Sequence, residues 1–255
     1  MRRIANILIE LYIVVSIYVL LRALVGLSFQ ILPAILLSFL GFSFALFHAF
    51  TRLGWQHAFL FLSLTLTISL LFESAGVATG WLFGGYHYTA EFGPRIFNLV
   101  PYLIPLNWFM MLYPSFIMAE RIIPDRGDGW QQWLGVAAMG GLIMTAWDLA
   151  MDPLMVARGH WVWESDGAYF GIPIQNYLGW WVTSFIILVS YLWGSYRWGK
   201  RKPQPELQFD RLAITFYAVT GFGSVIGALI AGLNGPALAG FFAMLPWVLV
   251  SRIKR

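Results

Sequence analysis

Three carboxylic acids stand in parts of this 255-residue chain that are otherwise apolar. Asp148 and Asp152 lie four residues apart in GGLIMTAWDLAMDPLM, and Glu73 follows the run SLTLTISLLF. Spacing of four on a helix puts Asp148 and Asp152 on one face, with Cβ atoms about 5–6 Å apart. An ionisable group at membrane depth is costly and marks function by default. Removal from water and a second carboxyl nearby both favour holding a proton, as proton donation to an unreactive substrate requires. The competing structural reading makes Asp152 an anchor for the helix end before Pro153, paired with Arg158. For Glu73 it is a hydrogen bond to a neighbouring helix. Glu91 and Glu164 fall in loops, where a solvated carboxylate is the ordinary outcome.

The residues around these acids are aromatic. Trp81, Tyr86, Tyr88, Trp108, Trp147, Trp161, Trp163, Tyr169 and Trp180 exceed what a membrane-interface belt needs. Ring faces stabilise cations, at about 2 kcal/mol when desolvated, so several of these rings could wall a cationic intermediate. Asn107 and Asn176 start or interrupt apolar runs beside Pro105 and Pro173, and are candidates for holding water or orienting an acid. His87 could position water or pass a proton. No two histidines have helical metal-ligand spacing, and there is no cysteine, so no metal is expected. Walker A, G-x-G-x-x-G and G-x-S-x-G motifs are absent.

Positioning these residues is the task of membrane helices. Hydrophobic residues make up 59% and charged residues 11%, against roughly 25% charged in soluble domains. Apolar runs at 4–25, 31–50, 58–79, 97–120, 131–152, 175–196, 210–231 and 236–251 are long enough to cross a bilayer, the last being short enough to be re-entrant. The expectation is an all-α polytopic transmembrane bundle of seven or eight spans, forming one domain over 1–255. The first run reads as an uncleaved helix. With the N-terminus inside, thirteen of sixteen Lys and Arg fall on the inner side, and only Arg22, Arg95 and Arg158 lie outside. That bias predicts both termini in the cytoplasm, in the cytoplasmic membrane, and accounts for the net charge without a nucleic-acid partner. The one linker-like stretch, 197–211, carries the basic cluster Lys200, Arg201 and Lys202.

The regions 58–120 and 131–196 share an order: apolar helix with acid, Gly-aromatic loop, then Ile-Pro with a nearby Asn. This suggests an internal duplication with a shared site between the halves.

The ordered set Glu73-x-x-Gly76-x-x-Thr79-Gly80, Phe83-Gly84-x-Tyr86-x-Tyr88, Gly93-Pro94 and Pro101 to Trp108 continues with Asp148 to Pro153 and Trp161-x-Trp163. It closes with Gly167-x-Tyr169-Phe170-Gly171-Ile172-Pro173-x-x-Asn176-Tyr177-x-Gly179-Trp180. This set, over about residues 70–182, resembles the integral membrane carotenoid hydratases of the carotenoid biosynthesis protein family. The resemblance implies addition of water across the terminal C1=C2 double bond of a linear carotenoid ψ-end group, with no cofactor. It also implies a linear carotenoid as substrate, the lipid bilayer as setting, and association with other carotenoid biosynthesis enzymes. Asp148 or Asp152 would donate the proton, and Glu73 or the remaining aspartate would activate water. Substrate-binding candidates are Tyr86, His87, Tyr88, Asn107, Trp108, Trp147, Trp161, Trp163, Tyr169, Asn176 and Trp180.

Two other readings share some of these features. A membrane carotenoid cyclase begins with the same protonation. A proton-coupled transporter or lipid-binding membrane protein would use the acids for coupling and make no product. A membrane prenyltransferase fits less well. Met144 replaces an expected Asn, there is no second Asp-rich motif, and the outer loops lack the Lys and Arg to hold a diphosphate.

Overall fold

The computed structural model describes residues 1–27, 30–124, 129–198 and 207–253. Lys200, Arg201 and Lys202 lie outside the described residues, as do Arg126, Lys254 and Arg255. Among the described residues eight helices follow in order: α1 (Arg2–Leu24), α2 (Ile31–Leu53), α3 (Trp55–Thr79), α4 (Leu103–Ile122), α5 (Trp130–Ala157), α6 (Ile174–Arg197), α7 (Leu207–Ile230) and α8 (Asn234–Ile253). Seven of them are long and apolar enough to cross a membrane, all except α4. The result is an all-α integral membrane bundle. α8, at 20 residues, spans about 30 Å by helical rise, the thickness of a hydrocarbon core.

The exception has a physical reason. α4 carries Asn107, Glu120, Arg121 and two prolines, yet 15 of its 20 residues are buried. It is the central helix, walled by α2, α3, α5 and α7, so its side chains answer to protein neighbours rather than lipid. Fully buried Phe109, Tyr113 and Phe116 pack against Phe61 of α3.

Two helix boundaries differ from the expected ones. α4 begins at Leu103 rather than 97, because Phe97 and Asn98 take left-handed φ of 53° and 59°. There they turn a short hairpin between β2 (Arg95–Ile96) and β3 (Val100–Pro101). α5 runs past Pro153 to Ala157, so Asp152 is not the last helical residue before a break. Proline has no N–H for the carbonyl four residues back, which here is that of Leu149. The Tyr169 hydroxyl supplies the missing donor, 2.9 Å from the Leu149 oxygen.

The start of α1 and the end of α8 lie at the same end of the bundle. The Arg2 guanidinium sits over the Phe209 ring, Arg121 donates to the Ser251 carbonyl, and Arg252 to Thr215. A buried ion pair, Arg52 Nε to Asp210 Oδ1 at 2.7 Å, ties α2 to α7 there. Beside it, His48 spans from the Tyr113 hydroxyl to the Phe209 carbonyl.

At the opposite end, the loops after α3 and α5 are joined. β1 (Tyr86–Tyr88) pairs antiparallel with β4 (Trp161–Trp163), matching Tyr86 with Trp163, His87 with Val162 and Tyr88 with Trp161. Side chains alternate across a strand. Tyr86, Tyr88, Trp161 and Trp163 therefore share the inward face, while His87 and Val162 point outward.

Candidate active site

Beneath this strand pair lies a cavity of about 220 Å³. Its lining gathers most of the predicted residues from distant parts of the chain: Glu73 from α3, Asn107 and Trp108 from α4, Trp147, Asp148 and Asp152 from α5, and Asn176 and Trp180 from α6. The inward faces of β1 and β4 complete it with Tyr86, Tyr88, Trp161 and Trp163.

All three acids are buried, at 3% exposure for Glu73, 0% for Asp148 and 2% for Asp152. Their hydrogen bonds set them apart. Glu73 Oε2 accepts from the hydroxyls of Tyr86 and Tyr88, the latter at 2.8 Å, and Oε1 accepts from the Trp108 indole N–H at 2.9 Å. Burial first, and then the neighbouring Glu73 charge, hold both tyrosines well above the ordinary phenol range, so they remain donors. Asp152 Oδ1 accepts from the Trp161 indole N–H at 2.6 Å.

Asn176 joins the two aspartates. Its side-chain nitrogen donates to Asp148 Oδ2 at 2.9 Å and to Asp152 Oδ2 at 2.7 Å. The remaining oxygen, Asp148 Oδ1, is buried and accepts no hydrogen bond. Asn107 Oδ1 is buried in the same cavity and also unpartnered. A buried polar atom left this way costs about 1–3 kcal/mol, and in a functional cavity it calls for a substrate or water.

The aromatic wall is ordered by ring packing. Trp180 stacks on Trp108 with centroids 4.4 Å apart and meets Trp147 edge-on at 6.0 Å. Trp147 is fixed by its N–H to Ser224 at 3.1 Å. Tyr86 packs on Trp163 at 5.0 Å and Tyr88 on Trp161 at 6.0 Å. Phe83 lies behind them, wedged where glycines leave room. A Cβ on Gly179 would sit 2.6 Å from the Phe83 ring and 2.7 Å from the Leu82 carbonyl, and one on Gly76 would sit 2.6 Å from the same ring.

Two predicted binding residues lie elsewhere. His87 faces outward from β1, with 56% side-chain exposure, and sits 3.8 Å from Glu164. Tyr169 lies outside the cavity lining, packed edge-on against Phe170 and Tyr177. Burial, followed by the Asp148 and Asp152 charges, pushes its hydroxyl up to about 12, in keeping with its use as a donor to Leu149.

The cavity also holds His160, which was not a sequence candidate for the site, and Arg158, which the sequence offered only as a partner for Asp152. Burial holds His160 below the ordinary histidine range, so it presents a neutral imidazole. The one hint in the sequence was its place directly before Trp161-Val162-Trp163, whose alternation marks a strand.

A multi-helix membrane bundle with a buried carboxyl cavity defines the class of protein. The chain belongs to the carotenoid biosynthesis protein family, which it matches over residues 32–246. It is 28% identical to a bisanhydrobacterioruberin hydratase of Haloarcula japonica over 137 residues, 54% of this chain and 45% of the relative. The aligned part thus spans just under half the length of that relative. No solved structure matches the chain.

Proposed function

We propose that this protein is a carotenoid hydratase, adding water across the terminal C1=C2 double bond of a linear carotenoid ψ-end group. One observation carries the reading furthest: among the described residues, Asp148 Oδ1 is the one acid oxygen in the cavity with no hydrogen bond. The indole donors cannot accept, so the carboxylates they contact at Glu73 and Asp152 act as acceptors. Asp148 is the acid whose free oxygen can carry a proton to substrate.

The steps follow from this assignment. Asp148 delivers its proton to C2, and the π electrons form the new C–H bond. Positive charge then develops at the more substituted C1. The faces of Trp147 and Trp180 and the fixed charge of Glu73 stabilise it in place, without reorganisation. A water held by Asn107 Oδ1 bonds to C1 as Asp152 takes one of its protons. The product is a tertiary alcohol. The proton on Asp152 returns to Asp148, its neighbour across Asn176, and the acid is restored.

The Haloarcula japonica relative supports hydration as the reaction type. The basic residues at the shared end of the chain termini support the cytoplasm on that side of the cytoplasmic membrane. The strand pair joining the two halves of one site supports a single domain built from repeats around 58–120 and 131–196. Association with other carotenoid biosynthesis enzymes would deliver a substrate that cannot cross water.

Expression in a host accumulating an acyclic carotenoid, in water enriched in oxygen-18, tests the function. The expected product is a more polar pigment carrying one labelled hydroxyl. A cyclised pigment of unchanged mass would replace hydration by cyclisation. Unchanged pigment would leave the transport or lipid-binding reading.

A further inference from the structure

The cavity has two ends of opposite character. One holds the three acids and their aromatic wall. The other is aliphatic: Val19 of α1, Ile31, Ala34 and Ile35 of α2, and Leu103 and Ile104 of α4. Ile31 belongs both to this lining and to the outside of the protein, being 41% exposed. Its neighbours Leu32 and Leu36 are exposed as well, on a helix long enough to cross the membrane. The aliphatic end therefore reaches an exposed apolar surface, with Arg158 in the same cavity lining.

Size makes this end necessary. The cavity holds about 220 Å³, below the roughly 300–1,000 Å³ that encloses even a drug-sized ligand. A long polyene cannot be contained. Its reacting end fits among the acids, and the rest must lie outside, in a medium that accepts hydrocarbon.

From this we infer a lateral substrate port along the first two turns of α2, where Ile31, Ala34 and Ile35 grip the polyene as it passes from the bilayer to Asp148. Ala34 is the specificity-determining residue. Its small side chain leaves the bore open, and the bulk at this position sets which chains can thread. The inference rests on a linear polyene as the occupant of the proposed site. It adds that the tail remains in lipid during reaction, so that each end group is presented separately.

The chain contains no cysteine, which makes the test clean. Ala34→Cys in the otherwise native chain is purified in detergent and treated with methyl, then benzyl, methanethiosulfonate. Binding of an acyclic polyene is read by quenching of tryptophan fluorescence, and hydration by product analysis. Binding and turnover of the unlabelled Ala34→Cys chain are the reference for each label, and the methyl label should leave both near that reference. The benzyl label should weaken binding at least tenfold. Leu36→Cys, lipid-facing on the same helix and absent from the lining, should tolerate both labels. Ile35→Cys is the second port position should Ala34→Cys lose binding before labelling.

Equal binding with and without benzyl at position 34 overturns the port, as does equal damage from labelling position 36. A native chain that does not quench overturns it too. Quenching by the native chain with no alcohol formed defeats the hydration reading alone, and the port is then judged on binding.

Discussion

Tyr169 donates its hydroxyl to the carbonyl oxygen of Leu149, the acceptor that Pro153 leaves without a helical partner. The two residues are 20 apart in sequence, and their contact lies within the Asp148–Asp152 turn. Replacing Tyr169 by Phe would strand a part-buried carbonyl, at about 1–3 kcal/mol. We expect Tyr169→Phe to lower the thermal midpoint in detergent. Adding Pro153→Ala restores the helical N–H, so the double variant should regain much of the loss. Failure of that recovery would show that Tyr169 acts some other way.

Asp148→Asn should reduce hydration by roughly a hundred- to ten-thousand-fold, the usual weight of a general acid. Polyene binding, read by fluorescence quenching, should change little. Equal rates from Asp148→Asn and the native chain would move the donor role to another group.

Asn176→Ala removes the donor common to both aspartates. Two hydrogen bonds to carboxyl groups are lost, and turnover should fall roughly ten- to hundred-fold. The effect belongs in kcat, because Asn176 holds the acids rather than the polyene. A change confined to KM would contradict this.

His87→Ala should leave hydration at the native level, since its side chain points out from the strand pair. Tyr88→Phe, one residue on, removes a donor to Glu73 and should impair it. Comparing the two in pigment assays checks the strand register directly.

Gly179→Ala places a methyl against the Phe83 ring and the Leu82 carbonyl at under 3 Å. Overpacking of this kind costs about 1–3 kcal/mol. The thermal midpoint should drop, with partial recovery on adding Phe83→Leu, which relieves the ring contact but not the carbonyl one.

Helix positions were legible in the sequence because each apolar run needs only length and the absence of charge. The acids were legible for the complementary reason: at membrane depth they stand out. The strand pair was not, because three-residue strands 75 residues apart leave no local periodicity long enough to read. The alternations Tyr86-His87-Tyr88 and Trp161-Val162-Trp163 carried the signal in miniature, and taken together they would have turned His87 outward. Pro153 was misleading in the same way. Proline normally closes a helix, and only a hydroxyl from another loop lets α5 continue through it. Tyr169, a substrate-binding candidate from the sequence, lies outside the cavity lining and donates instead to the helix that bears the acids.

The strand pair has a consequence for assembly. β1 and Glu73 come from the chain before α5, while β4, Asp148, Asp152 and Asn176 come from α5 onward. Neither part carries a complete set of reacting groups. During insertion, the early helices can enter the bilayer with no competence to protonate anything. A chain severed between α4 and α5 would give two inert fragments, and activity would return only when they met in the same membrane and zipped Tyr86 to Trp163.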